Sequence, residues 1–122
     1  MTLYVSVRGW LECDRSQLSA MKEVIANHAD DHYSGGWGFP NHPFNWTSYV
    51  FYGGDIQEGD VLWLRDQLTE MAALPPADVE DSDVQGLFML THEVEGLIEW
   101  QIRRGGIHVM PGDERHEYLG PL

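Results

Sequence analysis

Residues 84–110, "VQGLFMLTHEVEGLIEWQIRRGGIHVM", decide what the chain folds into. Val84 to Glu93 is mostly apolar, as in a strand in the middle of a sheet with both faces covered. Glu95-Gly96 supplies a short turn. Beyond it Ile98, Trp100 and Ile102 alternate with Glu99, Gln101 and Arg103, the period of two of a strand with one buried face. Gly105-Gly106 is a two-residue hairpin signal leading into Ile107–Met110. Strands joined by such short connections form an antiparallel meander.

Working outward, the N-terminal stretch "LYVSVRGWLEC" alternates too. Leu3, Val5, Val7 and Leu11 share one face; Tyr4, Ser6, Arg8, Trp10 and Glu12 share the other. Gly9 falls on the inward row, where a missing side chain admits a bulge or a close neighbour. Asp14 then offers an N-cap, with Gln17 completing a capping box. Leu18, Met21, Ile25, His28 and His32 step by three and four residues, a helical stripe that turns both histidines towards the core or its rim. "WTSYVFYGGDI" reads as a second strand ended by Gly53-Gly54. Asp60 caps a second helix with an apolar row of Val61, Leu64, Leu68 and Met71/Ala72, and Pro75-Pro76 stops it. The order is β-α-β-α-β-β-β. It predicts one α+β domain over residues 1–122, a two-layer sandwich with two helices on one face of a largely antiparallel sheet. The open face carries Tyr4, Trp10, Gln101 and Arg103, and the polar tail 111–122 is expected to pack loosely.

Composition narrows the partners. The 122 residues include 20 Asp plus Glu against 7 Lys plus Arg, a net charge of −13. Phosphates would be repelled by such a surface, so nucleic acid and anionic membrane are poor partners. A basic protein would be drawn in and held in register. Cys13, the one cysteine, excludes an intramolecular disulfide and any multi-cysteine zinc site, and reads as a half-buried structural thiol. The N-terminus is strand-like, with no basic head and long apolar stretch, and no run is long enough to span a membrane, so a cytoplasmic protein is expected.

The stretch "NHADDHYSGGWGFPNHPFNW", Asn27 to Trp46, offers the sharpest chemistry. His28 and His32 stand at helical i, i+4 spacing, and Asp31 or His42 would complete a metal site. The intervening Ala29-Asp30-Asp31 lacks the glutamate of zinc proteases, and the stripe favours a structural role. The stretch is therefore read as a rigid aromatic connector whose Trp37, Phe39, Phe44 and Trp46 cover one end of the core. His92-Glu93 offers a general-base pair, or simply a polar strand end. "GGDIQEGD" has neither a phosphate loop nor a dinucleotide fingerprint. Asp78, Glu80, Asp81 and Asp83 form an acidic loop after the Pro-Pro break, a solvated loop by itself but suited to a basic partner on a surface of the same sign. No cofactor is implied.

"VSVRGWLE" near the start, a helix, and "VQGLFMLTHEVEGLIEWQIRRGGI" near the end resemble small bacterial immunity proteins, which neutralise polymorphic or contact-delivered toxins; the nearest group is immunity protein family seven. Gly9-Trp10, Gly86-Leu87, Trp100, Arg103-Arg104 and Gly105 match the pattern, and the glycine-rich connector lies outside it. The resemblance implies an α+β fold, no catalytic activity and a protein toxin as partner. The expectation is a non-catalytic protein that blocks a basic toxin domain, plausibly a nuclease, through Asp78, Glu80, Asp81, Asp83, Tyr4, Trp10 and Trp37. The alternative is a metal-binding protein or metal-dependent enzyme using His28, His32 and His42. The sequence leaves the oligomeric state open.

Overall fold

A computed structural model describes residues 2–41, 47–76 and 83–120. Its elements in chain order are β1 (Tyr4–Cys13), α1 (Arg15–Asn27), β2 (Trp37–Gly38), β3 (Ser48–Gln57), α2 (Val61–Ala72), β4 (Gln85–His92), β5 (Gly96–Arg103) and β6 (Gly106–Pro111). The expected order holds, with the two-residue β2 added inside the connector. All strand pairs are antiparallel, in the spatial order β2-β3-β1-β4-β5-β6. The α+β class and the meander are as the alternation predicts.

β1 lies in the middle of the sheet. It pairs with β3 from Tyr4↔Gln57 to Cys13↔Ser48 and with β4 from Val5↔His92 to Glu12↔Gln85. Its odd-numbered residues face the helices. There Val5, Val7 and Leu11 meet Val50 and Ile56 of β3, Phe88 and Leu90 of β4, and Trp100 and Ile102 of β5. Met21 and Ile25 of α1 and Leu64, Leu68 and Met71 of α2 close the other side. Full burial of a leucine such as Leu64 or Leu68 contributes about 1.5–3 kcal/mol. The Arg65 guanidinium lies 5.9 Å from the Trp100 ring and laps α2 over β5. Gly9 is required by this packing, since a Cβ there would come within 2.6 Å of the Phe88 ring.

α1 begins as read: Asp14 accepts from the Gln17 backbone N–H at 2.7 Å, and the Gln17 side chain returns a bond to the Asp14 N–H. Its end corrects the reading. The helix stops at Asn27, with His28 as C-cap, so His32 stands outside it and is exposed. The cause is Asp30, whose Oδ1 accepts from the backbone N–H groups of both His32 and Tyr33 and so starts a turn instead of another helical turn. Asp60 holds the N-cap position of α2 without a side-chain cap bond; its carboxylate accepts from the Tyr33 hydroxyl at 2.8 Å.

The final hairpin also differs by one residue. Its turn is Arg104-Gly105, with φ of 51° and 77°, and Gly106 already belongs to β6. Two consecutive positive φ values are those of a type I′ turn, which matches strand twist. Residues 112–120, read as a loose tail, return over the open face of the sheet. There the Gly112 N–H donates to Leu97 O at 3.1 Å and Thr91 Oγ1 donates to Leu119 O at 2.5 Å.

Candidate docking face

Strand alternation sends the even-numbered residues of β1 to the face away from the helices, and register sets their neighbours. One row across the sheet reads Gly38, Phe51, Trp10, Leu87, Gln101, His108. The next reads Gly53, Arg8, Met89, Glu99, Met110. Phe51, Trp10 and Leu87 thus form an unbroken apolar run over β3, β1 and β4. Phe51 is 44% exposed and stacks on Tyr49 two residues away, with ring centroids 6.1 Å apart and planes 13° from parallel. Trp10 and Leu87 are half-buried.

Beside this run lies a groove of about 460 Å³. Arg8, Trp10, Phe51 and Met89 line it from the sheet, Leu119 of the returning tail walls it, and Gly38 and Gly53 leave backbone bare. Glu12, Asp55 and Glu99 stand on the same face. Asp55 accepts from Ser6 Oγ at 2.8 Å, and the Arg103 Nε–H donates to Gln101 at 3.0 Å. A second hollow of about 410 Å³, next to the turn at residues 93–95, has Glu93, Glu95, Asp113 and Glu117 on its walls.

The structure sorts the expected site residues. Tyr4 is 39% exposed and Trp10 reaches the open face as read. Trp37 corrects the expectation of an exposed anchor: it is buried at 9%, with its ring 4.8 Å from Tyr52 and edge-on to it. That burial suits a connector. Tyr52 OH donates to Tyr33 O at 2.9 Å, Trp63 Nε1 donates to His28 O at 2.8 Å, and Tyr33 and Trp63 lie 5.6 Å apart. Phe39 is exposed, with Lys22 Nζ 5.1 Å above its ring. Phe44 and Trp46 lie outside the described residues, as do Asp78, Glu80 and Asp81; Asp83 is exposed before β4.

The histidines work as staples. His28 Nε2 lies 2.5 Å from Glu70 Oε2 and ties the end of α1 to α2, while His32 sits edge-on to Tyr33, 6.1 Å between centroids. The core-facing stripe therefore ends at Ile25. His42 lies outside the described residues, among which no group of three or more His, Cys, Asp or Glu is placed to hold an ion. His92 is buried, and its Nδ1 accepts from the backbone N–H groups of Val94 at 3.0 Å and Glu95 at 2.9 Å. Nδ1 is then unprotonated, so Nε2 carries the proton and donates it to Glu58, not to the sequence neighbour Glu93. With both nitrogens engaged, the ring pins the β4–β5 turn to the end of β3. Burial, helped by the nearby Asp14 charge, pushes the Cys13 thiol up to about 11, away from the thiolate a nucleophile needs.

Sequence reading missed Phe51, Leu87, Met89, Gly53 and Leu119 as parts of this face. Alternation already puts Tyr49 and Phe51 together; which of their faces meets Trp10 depends on the register of β1 against β3. No helix among the described residues is long and apolar enough to cross a membrane. Compared with protein-family models, with curated proteins and with solved structures, the chain matches none.

Proposed function

We propose that this is a non-catalytic, cytoplasmic immunity protein that binds and blocks a basic toxin domain, plausibly a nuclease, with the open face of the sheet as its docking surface. The observation that carries the reading is the partly exposed apolar run Phe51–Trp10–Leu87 on a chain of net charge −13. Large aromatics at the centre of a face supply binding energy by desolvation, while surrounding charge selects the partner and speeds encounter. The engagement of both His92 ring nitrogens and the burial of Cys13 support a non-catalytic reading, because each of these groups serves the fold.

The test is co-expression and binding with the toxin-like product encoded beside the gene. Wild-type chain should rescue growth and bind tightly at low salt, and Trp10→Ala should cost about 2 kcal/mol, roughly thirtyfold in Kd. Lack of binding at low salt, or full activity of both Trp10→Ala and Phe51→Ala, defeats the proposal.

A further inference from the structure

Several glycines in and beside the sheet are explained by packing. A Cβ on Gly9 would strike Phe88, and one on Gly36 would come within 2.9 Å of the Tyr52 ring. Gly53 is not explained that way. It lies inside β3, on the open face between Phe51 and Asp55, and a Cβ there would meet nothing within 4 Å. Glycine weakens a strand interior, and close approach of a group from outside to the backbone is one reason for a strand to carry it. Gly38, across from Phe51, repeats the feature: its Cβ would make only ordinary contact, at 3.9 Å, with Phe51. These two bare positions open into the 460 Å³ groove walled by Trp10, Phe51, Met89 and Leu119.

From this we infer that the groove over Gly53 seats one bulky apolar side chain of a protein partner, flanked in that partner by lysine or arginine. The volume falls within the roughly 300–1,000 Å³ of ligand-binding clefts, and the open walls are apolar side chains, bare backbone and Arg8, which stands opposite Gly53. Charge selects the flanks. Glu12, Asp55 and Glu99 on the face and Asp113, Glu114 and Glu117 on the returning tail outnumber Arg8, Arg103 and Arg115. Carboxylates and cations alike have partners within the chain: Asp55 accepts from Ser6, Glu99 from Gln101, Arg103 donates to Gln101 and Arg115 lies 3.6 Å from Asp113. Arg8 lines the groove, and the excess of carboxylates over the whole face is what favours basic flanks. The inference rests on the docking reading above and assigns it an anchor.

The test uses the full-length, isotopically labelled chain and three capped tripeptides: Lys-Trp-Lys, Lys-Ala-Lys and Glu-Trp-Glu. Lys-Trp-Lys should give saturable amide shifts centred on Gly38, Gly53 and Trp10 and bind at least tenfold more tightly than either other peptide. Gly53→Leu should abolish saturation, and Gly38→Leu, entering from the opposite side, should do the same. Gly59→Ala, also in open space but in a turn away from the groove, should leave binding unchanged. Shifts centred elsewhere, or unchanged binding in both leucine variants, overturn the inference. Equal binding of Glu-Trp-Glu overturns its basic partner, and a wild-type dimer dissolved by Gly53→Leu makes a second copy the occupant and overturns it as well. The toxin measurement separates the two readings. A toxin that binds Gly53→Leu as well as wild type sinks the anchor and leaves the function standing. A toxin that fails to bind, while Lys-Trp-Lys still seats in the groove, does the reverse.

Discussion

At the scale of single residues, the structure distinguishes glycines the fold requires from glycines it does not. A Cβ on Gly86 would lie 3.0 Å from Leu11 Cα and closer still to the Trp10 carbonyl, backbone atoms that cannot move aside. Gly86→Ala is therefore expected to lose about 1–3 kcal/mol in denaturant unfolding, and Gly53→Ala to stay within about 0.5 kcal/mol of wild type. Equal losses would remove the distinction on which the groove depends. Asp30 is the residue the helical stripe hid. Backbone N–H bonds, Tyr33 first, hold its carboxyl below the ordinary 3.8. A lowered folded value means that Asp30 stabilises above the ordinary value and loses that contribution as pH falls through the folded one. The stability gap between wild type and Asp30→Ala should accordingly close on acidification from about pH 6 to about pH 2; a gap that persists at the acid end would show the carboxylate is not its source. Tyr52 works at the other limit, pushed up to about 12 by burial, with Asp30 and Tyr33 adding to it. Its raised value gives stability below the ordinary tyrosine pKa of about 10, lost as pH rises towards 12. Absorbance titration should show a late tyrosinate step that Tyr52→Phe deletes.

At the scale of elements, type and order were legible and boundaries were not, for physical reasons. Period two marks a strand wherever one face is buried, and the Asp14–Gln17 box marks a helix start because both its bonds are local. The end of α1 depends on a competition that periodicity does not record: Leu18, Met21 and Ile25 continue arithmetically to His28 and His32, but the Asp30 carboxylate captures the backbone first. In the last hairpin, Arg104, Gly105 and Gly106 offer two possible turns. The register Arg103↔Gly106 places Arg104 in a left-handed conformation in which any Cβ crowds the following carbonyl oxygen. Arg104→Gly is expected to stabilise the protein by about 0.5–1 kcal/mol and Gly105→Ala to cost about 1 kcal/mol, read as shifts in urea midpoint. If Gly105→Ala proves neutral, the turn is not of this type. The docking face was legible only in part for a related reason. Trp10 and Tyr4 follow from one strand's alternation, whereas the groove is assembled from β1, β2, β3, β4 and the tail, and only the pairing of those segments creates it.

At the scale of the molecule, a net charge of −13 sets carboxylates against one another. Among the described residues most carboxylates are solvent-exposed, so salt should relieve the repulsion: the Debye length falls from about 30 Å at 0.01 M to about 8 Å at 0.15 M. The melting temperature should rise over that range by a few degrees, while the affinity for a basic partner falls; the opposite trend in both would place the charge outside the docking event. The position of β1 has a separate consequence, in time. β1 is synthesised before both of its neighbours, β3 and β4, and Val5 finds His92 only after β4 has been made. Its apolar row therefore waits uncovered through much of synthesis, and closure of the sheet depends on contacts distant in sequence. Such non-local closure slows folding relative to helical bundles of local contacts, so changes in β1 are expected to affect yield during synthesis as well as the stability of the finished protein.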